Sequence, residues 1–318
     1  VVLHVRHGDE AVDAPDSEPV QHVRHQLLEA CVLHAGDALG ALEIGRRLVA
    51  AFLFLVAALM GYGLIEAKFD PIQRETEIIS TAYPAGQKPF RVALLSDIHF
   101  GNRAMQRVRL DAIVASVNAA RPDLVVITGD FVNGHNGELR TNTDDLVAPL
   151  SALKAPQGVI ATPGNHDHWT DLAKVRAALE KAGVTVLANV PVQRGPLLLL
   201  GIDDGFTRHD NVGAALAAAK GMTGLPVVVT HSPDISASLP REVGTVLAGH
   251  THCGQVVLPL IGSLAPTFGY HVFDPHYQCG VIRDPGRTVI VTAGLGTGSI
   301  PFRVGAPPDW WLVTFRAP

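Results

Sequence analysis

Residues 245–255 read TVLAGHTHCGQ: a short apolar run, a glycine, then two histidines, His250 and His252, one residue apart. An apolar run of this length bounded by glycine reads as a buried strand, and imidazoles are costly to bury without partners. Working outward, the same design recurs along the chain. FRVALLS is followed by Asp97-Ile98-His99, DLVVIT by Gly129-Asp130, GVIATP by Gly164-Asn165-His166-Asp167, and LPVVVT by His231. Helical patterns stand between these runs: MQRVRLDAIVASVNAA, TDDLVAPLSALKA, DLAKVRAALEKAG and NVGAALAAAKG. Such alternation predicts an α/β domain with largely internal strands. The late strands TVIVTAG and DWWLVTF have no helix between them, which predicts a second, more antiparallel sheet.

In an open α/β sheet, ligands collect beyond the carboxyl ends of the strands. Five strand ends here deliver Asp97, His99, Asp130, Asn165, His231, His250 and His252 to one rim, with His166 beside them. The donors are oxygen and nitrogen only. Imidazole with carboxylate suits Mn, Fe and Zn better than thiol-seeking Cu(I), and so many imidazoles argue against pure Ca or Mg sites. Singly, Asp97-x-His99 reads as a solvated strand end and Gly129-Asp130 as a turn. Five such groups in series at successive strand ends do not serve packing.

The ordered series DIH, GD, GNHD, H and GHTH resembles the calcineurin-like metallophosphoesterase superfamily. The stretches GHTHCGQVVLP and GLGTGSIPFRVGAPPDW resemble its bacterial membrane-anchored branch, which includes exported phosphodiesterases and UDP-2,3-diacylglucosamine pyrophosphatases. The resemblance covers about residue 88 to the end. It implies an α/β fold, a four-layer α/β/β/α sandwich of two mixed sheets flanked by helices, preceded by a transmembrane helix. It also implies a dinuclear centre: Asp97, His99 and His252 on one divalent ion, Asn165, His231 and His250 on the other, and Asp130 bridging. Hydrolysis of a phosphoester by water activated between the two ions is the implied reaction. His166 is the implied proton donor to the leaving oxygen, with Asp167 orienting its ring; Asn133 and His168 are candidates for substrate contact. One departure is Cys253, where this branch usually has glycine; a side chain there is expected to crowd the loop of His252 and modulate the site.

The remaining composition narrows partners and place. The 318 residues are 47% hydrophobic and 17% charged, with a net charge of −5 and no long basic run, which argues against nucleic acid as an obligatory partner. No obligatory protein partner is evident, and the expected partners are a phosphoester, with a lipid-linked one as a variant, and a membrane. Cys31, Cys253 and Cys279 are too few and scattered to imply a disulfide framework or a thiolate zinc site. Residues 1–45 begin with valine, which suggests an alternative, processed or misplaced start, and carry five of the 15 histidines with little apolar periodicity. They read as a poorly ordered tail. The 18 residues Leu48–Ile65 are uncharged, with Arg46 and Arg47 before them and Glu66, Lys68 and Asp70 after. That length suffices to span a bilayer, so 46–66 reads as a transmembrane or signal-anchor helix. The arginine bias favours an N-terminus inside and a catalytic domain outside, at the bacterial inner membrane that the resemblance implies, with a cytoplasmic catalytic domain as the alternative. Residues 67–87 read as a linker and 88–318 as the catalytic domain. The apolar segment LPLIGSLAPTFGY, 258–270, follows the last histidine motif and would suit an acyl substrate. His135, His209, His271 and His276 read as ordinary surface histidines.

Overall fold

A computed structural model describes residues 18–139, 141–264, 272–298 and 300–318, apart from the side chains of 18–20 and 36. The chain divides into two compact units between Ala58 and Leu59. Helix α1, Glu18–Glu66, contains the uncharged run. The structure thus continues the helix back through residues assigned above to a loosely ordered tail. The reason is local. Residues 21–47 hold no proline and are rich in alanine and leucine, and i,i+4 pairs such as Arg47–Glu43 at 3.2 Å line the surface. At 1.5 Å per residue the uncharged run is about 27 Å long, close to the thickness of a bilayer's hydrocarbon. Among the described residues this is the one helix long and apolar enough to cross a membrane. Residues 1–17 of the expected tail, His271 and most of the apolar segment after Leu264 lie outside the described residues.

The larger unit, Leu59–Pro318, carries every strand. In chain order the first seven are β1 Ile72–Ile79, β2 Phe90–Leu95, β3 Leu124–Thr128, β4 Gly134–His135, β5 Glu138–Leu139, β6 Val159–Thr162 and β7 Thr185–Val186. Then come β8 Val190–Arg194, β9 Leu197–Gly201, β10 Leu225–Val229, β11 Thr245–Ala248, β12 Val257–Leu258 and β13 Gly262–Ser263. The last are β14 Gly280–Asp284, β15 Arg287–Val291 and β16 Asp309–Arg316. The helices after α1 are α2 Arg107–Ala119, α3 Val147–Ser151, α4 Asn165–Trp169, α5 Leu172–Lys181 and α6 Val212–Ala218.

Two six-stranded mixed sheets form, in the orders β1-β16-β2-β3-β6-β7 and β14-β15-β11-β10-β9-β8. β2, β3 and β6 run parallel in the first, and β9, β10, β11 and β15 run parallel in the second. The period-two alternation of a strand sorts their side chains into layers. Val92, Leu94, Leu124 and Val126 meet Leu199, Val227, Val229 and Leu247 between the sheets. Ala93, Leu95, Val125 and Ile127 face Ile113, Val117, Val175 and Leu179 of α2 and α5. Leu198, Leu200 and Val228 pack with Ala215 of α6 on the far side. The result is the expected helix–sheet–sheet–helix sandwich.

Two assignments are corrected. Residues 67–87 are not merely a linker, because β1 lies parallel to β16 along its whole length and extends the first sheet. The late strands do not share a sheet either: β15 joins β11 in the second, whereas β16 inserts between β1 and β2 in the first. An apolar run states that a strand is buried, not which neighbour it pairs with. Of the expected helices, TDDLVAPLSALKA is cut to a 3₁₀ turn, Thr143–Leu146, and the five residues of α3.

Candidate metal centre

The parallel strands bring five chain turns to one edge. Asp97 and His99 follow β2, Asp130 follows β3, Asn165 opens α4 after β6, His231 follows β10, and His250 and His252 follow β11. The backbone there is bent sharply. Asp97, His99, Asp130, His250 and His252 all have positive φ, between 47° and 70°. Such conformations cost on the order of 1 kcal/mol or more each in a non-glycine residue and cluster where function requires them. Glycines supply the clearance. A Cβ on Gly249 would lie 2.6 Å from Asp97 Oδ2, and one on Gly164 would strike Asp130 Oδ1.

All seven candidate ligands converge. His99 Nε2 lies 3.1 Å from His252 Nε2, and Asp97 Oδ1 is 3.4 Å from His252 Nε2 and 3.8 Å from His99 Nε2. On the other side, Asn165 Oδ1 is 3.0 Å from His231 Nε2 and 2.9 Å from His250 Nδ1, and those two nitrogens are 3.2 Å apart. Asp130 Oδ2 stands between the groups, 3.5 Å from His99 Nε2 and 3.2 Å from His231 Nε2. Hydrogen bonds behind the rings choose which nitrogen faces inward. His231 Nδ1 donates to the Thr128 carbonyl at 2.5 Å, and His250 Nε2 donates to the Val272 carbonyl at 2.8 Å. Each leaves a lone pair on the inward nitrogen, the arrangement that orients a metal ligand.

The cluster suits divalent cations on its own chemistry. Asp97 Oδ1 is buried with no hydrogen-bond partner among the described residues, and imidazole nitrogens confront one another in two places. Burial pushes the Asp97 carboxyl up to about 6 and the His99 imidazole down to about 3; burial likewise lowers His250, at the rim, to about 4. For Asp130 burial works upward, but the His231 and His166 imidazoles outweigh it and hold the carboxyl well below its usual range. His231 goes the other way: burial lowers its proton affinity, but Asp130 outweighs burial and holds the imidazole well above its usual range. A buried carboxylate that draws a proton onto its neighbouring imidazole marks a basin for positive charge.

His166 adjoins this cluster without lying in the same turn of donors. Its Nδ1 donates to the Gly134 carbonyl at 2.7 Å, its backbone N–H donates to Asp130 Oδ1 at 2.8 Å, and its ring meets His99 edge-on at 4.7 Å. Asp167 does not orient that ring, contrary to the expectation above. Its carboxylate instead accepts the backbone N–H groups of Asp130, Phe131 and Gly164 at 3.0, 2.9 and 2.9 Å, which fixes the loop of Asp130. Burial and the charge of Asp130 push Asp167 up to about 7, against the three donors that favour its ionised form. His168 turns to Asp203, 2.8 Å away, and stacks on His209 at 3.9 Å. Asn133 is buried on the loop between Asp130 and Gly134. His135 packs against Trp169, and His276 pairs with Asp284 on the surface.

Three contributors escaped the sequence reading. Arg303 is wholly buried; its guanidinium contacts His252 Nδ1 at 3.2 Å and donates to the carbonyls of Ala293, Gly296 and Ala306. Asp204 is buried close enough to raise the proton affinity of His231 and His250. Cys253 and Cys279 form a disulfide, correcting the expectation drawn from their scatter. It ties the two-histidine loop to residues 272–280, alongside Thr251 Oγ1 donating to the Gln278 carbonyl at 2.6 Å and Gln278 Nε2 donating to the Cys253 carbonyl at 3.2 Å. Cys253 therefore braces the loop of His252; its side chain is accommodated as half of the bridge.

Comparison with known proteins finds relatives of the whole domain. Residues 90–254 match the family described as calcineurin-like phosphoesterase. An uncharacterized metallophosphoesterase of Aquifex aeolicus is 30% identical over 83% of this chain and 98% of its own length. One from Helicobacter pylori is 30% identical over 79% of this chain and 66% of its own, so the chain spans just under two thirds of that relative. A transmembrane protein with metallophosphoesterase domain of Danio rerio is 30% identical over 80% of this chain and 59% of its own. Among solved structures, a dimetal phosphatase of Danio rerio aligns at TM-score 0.44 and 14% identity, covering 65% of this chain and 88% of that one.

Proposed function

The chain belongs to the calcineurin-like phosphoesterase family, and from that premise we propose that it is a phosphodiesterase that holds two divalent cations, Mn, Fe or Zn. Asp97, His99 and His252 would hold one, Asn165, His231 and His250 the other, and Asp130 both. The observation that carries this reading is the single oxygen, Asp130 Oδ2, that faces a histidine of each group at 3.5 and 3.2 Å. When bound, such a pair of cations activates water as a nucleophile and neutralises charge on the phosphoryl oxygens. The protein's own groups do the rest. Asn165 is a neutral ligand, which leaves the cavity receptive to an anionic ester. With Nδ1 committed to Gly134, His166 has Nε2 free to carry a proton to the leaving oxygen. Asp167 holds the Asp130 loop in register, and Asn133 of that same loop would donate to a substrate oxygen.

The membrane supplies the setting. The apolar run within α1 and relatives named as transmembrane proteins support anchoring. We place the catalytic unit on the extracytoplasmic side of a bacterial inner membrane. Arg46 and Arg47 precede the apolar run, and the disulfide belongs to an oxidising compartment. A second reading, cleavage of the pyrophosphate of UDP-2,3-diacylglucosamine, is favoured by the apolar residues 258–261 that follow the two-histidine loop in the chain and opposed by that disulfide. A non-catalytic scaffold is disfavoured because no ligand position is missing. The test is a metal-reconstituted screen of phosphomonoesters, phosphodiesters and nucleotide-linked lipids with Asp130→Ala as blank. Phosphodiester turnover that needs two ions supports the first reading; turnover of the nucleotide-linked lipid alone selects the second; none on any substrate defeats both.

A further inference from the structure

The hairpin that follows the two-histidine loop carries an unusual tip. β12 and β13 pair through Val257–Ser263 and Leu258–Gly262, leaving Pro259, Leu260 and Ile261 at the turn. Leu260 is wholly exposed and has φ of +68°, and Ile261 is 65% exposed. A left-handed turn position favours glycine or asparagine, and water disfavours a bare leucine. Both penalties fall on the same residue, and no contact among the described residues offsets them.

What surrounds the hairpin identifies the occupant. Val257 N–H donates to the Val304 carbonyl at 2.7 Å, and Gln255 Nε2 donates to the Ile300 carbonyl at 3.3 Å, so the hairpin base lies along segment 300–305. Ile300 is itself 65% exposed. The other flank of this segment receives the end of the apolar helix, whose last turns belong to the larger unit. Arg303 N–H donates to the Gly63 carbonyl at 3.0 Å, the Phe302 ring covers Gly63, and Gly305 N–H donates to Glu66 Oε2 at 3.0 Å. Leu64 and Ile65 remain exposed there. One residue therefore joins the helix exit to the catalytic centre, since the Arg303 side chain reaches His252. If the uncharged run spans a bilayer, its exit at Ile65 lies at the interface. The metal centre then stands one arginine side chain away.

We propose that the 259–261 tip, with Ile300, docks into the lipid bilayer beside the helix exit. This seats the metal centre at headgroup level and directs it to phosphoesters of membrane-resident amphiphiles. The inference rests on the phosphodiesterase reading for its substrate and on the membrane span for its geometry. A protein partner or a second copy of the chain is the alternative occupant. Neither accounts for the apolar residues flanking the exit of a helix able to cross a membrane.

The experiment uses the full chain reconstituted in phosphatidylcholine–phosphatidylglycerol vesicles. A fluorophore is placed at position 260 through Leu260→Cys in a Cys31→Ser background. Quenching by lipids spin-labelled near the headgroup is expected; no quenching in a chain that resists carbonate extraction overturns docking. Release of the chain by carbonate overturns the span and the docking with it. In the activity arm, hexadecyl p-nitrophenyl phosphate in vesicles is compared with ethyl p-nitrophenyl phosphate in water, esters that share the reacting group. Replacing two apolar side chains at the tip, L260D with I261D, should lower kcat/KM for the hexadecyl ester roughly tenfold. The ethyl ester should change less than about twofold, since the tip touches no ligand. Equal loss on both esters, or none on either, overturns the amphiphile assignment. If the unsubstituted chain cleaves neither ester, the phosphodiesterase reading fails, and quenching still decides the docking.

Discussion

The two halves of the metal cluster differ in charge and in access. The first, Asp97, His99 and His252, has a carboxylate of its own, is buried with only His252 reaching the surface slightly, and is backed by Arg303. The second, Asn165, His231 and His250, has no liganding carboxylate except the shared Asp130, with buried Asp204 behind its histidines, and its His250 stands at the rim beside Phe206, 4.9 Å away. A cation is held more strongly where more negative charge is buried with it. We propose that Asp97, as a direct ligand, outweighs the more distant Arg303 and makes the first half the tighter site, while the second shares its ion with an anionic substrate.

Removing what the halves have in common gives the largest effect. Asp130→Ala should lose both ions and nearly all activity; elemental analysis that still finds two ions per chain would contradict the bridge. Next comes a group on the seam. His166→Ala should keep both ions yet lose roughly 10²–10⁴ in kcat, with a smaller loss on p-nitrophenyl esters, whose leaving group scarcely needs a proton. Equal losses on good and poor leaving groups would remove its role as acid. The comparison itself is tested by calorimetric titration of the metal-free protein with Mn²⁺. His252→Ala should abolish the tighter of two binding phases and His250→Ala the weaker; the reverse assignment breaks the asymmetry.

The bridge Cys253–Cys279 secures both histidines of the loop, one from each half. Cys279→Ser should weaken metal binding roughly tenfold, as loss of a supporting group does, with the chain still folded by circular dichroism. Unchanged affinity would make the bridge merely structural. The smallest effect concerns His168, which follows the second half. Burial lowers its proton affinity, but Asp203 more than restores it, so its pKa is raised in the folded state. A raised folded value means the stabilisation is complete below the unfolded pKa, about 6.5, and is lost as pH rises through the folded one. Against Asp203→Asn, the original chain should be more stable by less than about 1 kcal/mol at pH 6, and the gap in Tm should close by pH 9. A gap that widens with pH would refute the pairing.

Much of this was legible beforehand, for identifiable reasons. Buried parallel strands read as apolar runs, and glycine with polar residues after each run marked the turns, so Asp97 through His252 could be named from spacing and resemblance. Arg303 was not legible, because nothing in PFRVG distinguishes a buried guanidinium from a solvated one. Asp167 was misassigned because adjacency to His166 said nothing of the helical turn, which aims its carboxylate at the Asp130 loop.

By itself, the sequence determined the alternation of buried strands with helices and the apolar helix, since these follow from local composition and period, while the four layers and the candidate ligands came from the resemblance of its motifs to a family. Only the tertiary structure decided that β16 enters the first sheet, that Cys253 meets Cys279, and that one arginine links the helix exit at Gly63 to His252. Those are pairings between residues far apart in the chain. They are chosen by how whole layers pack together, which no short stretch of sequence encodes.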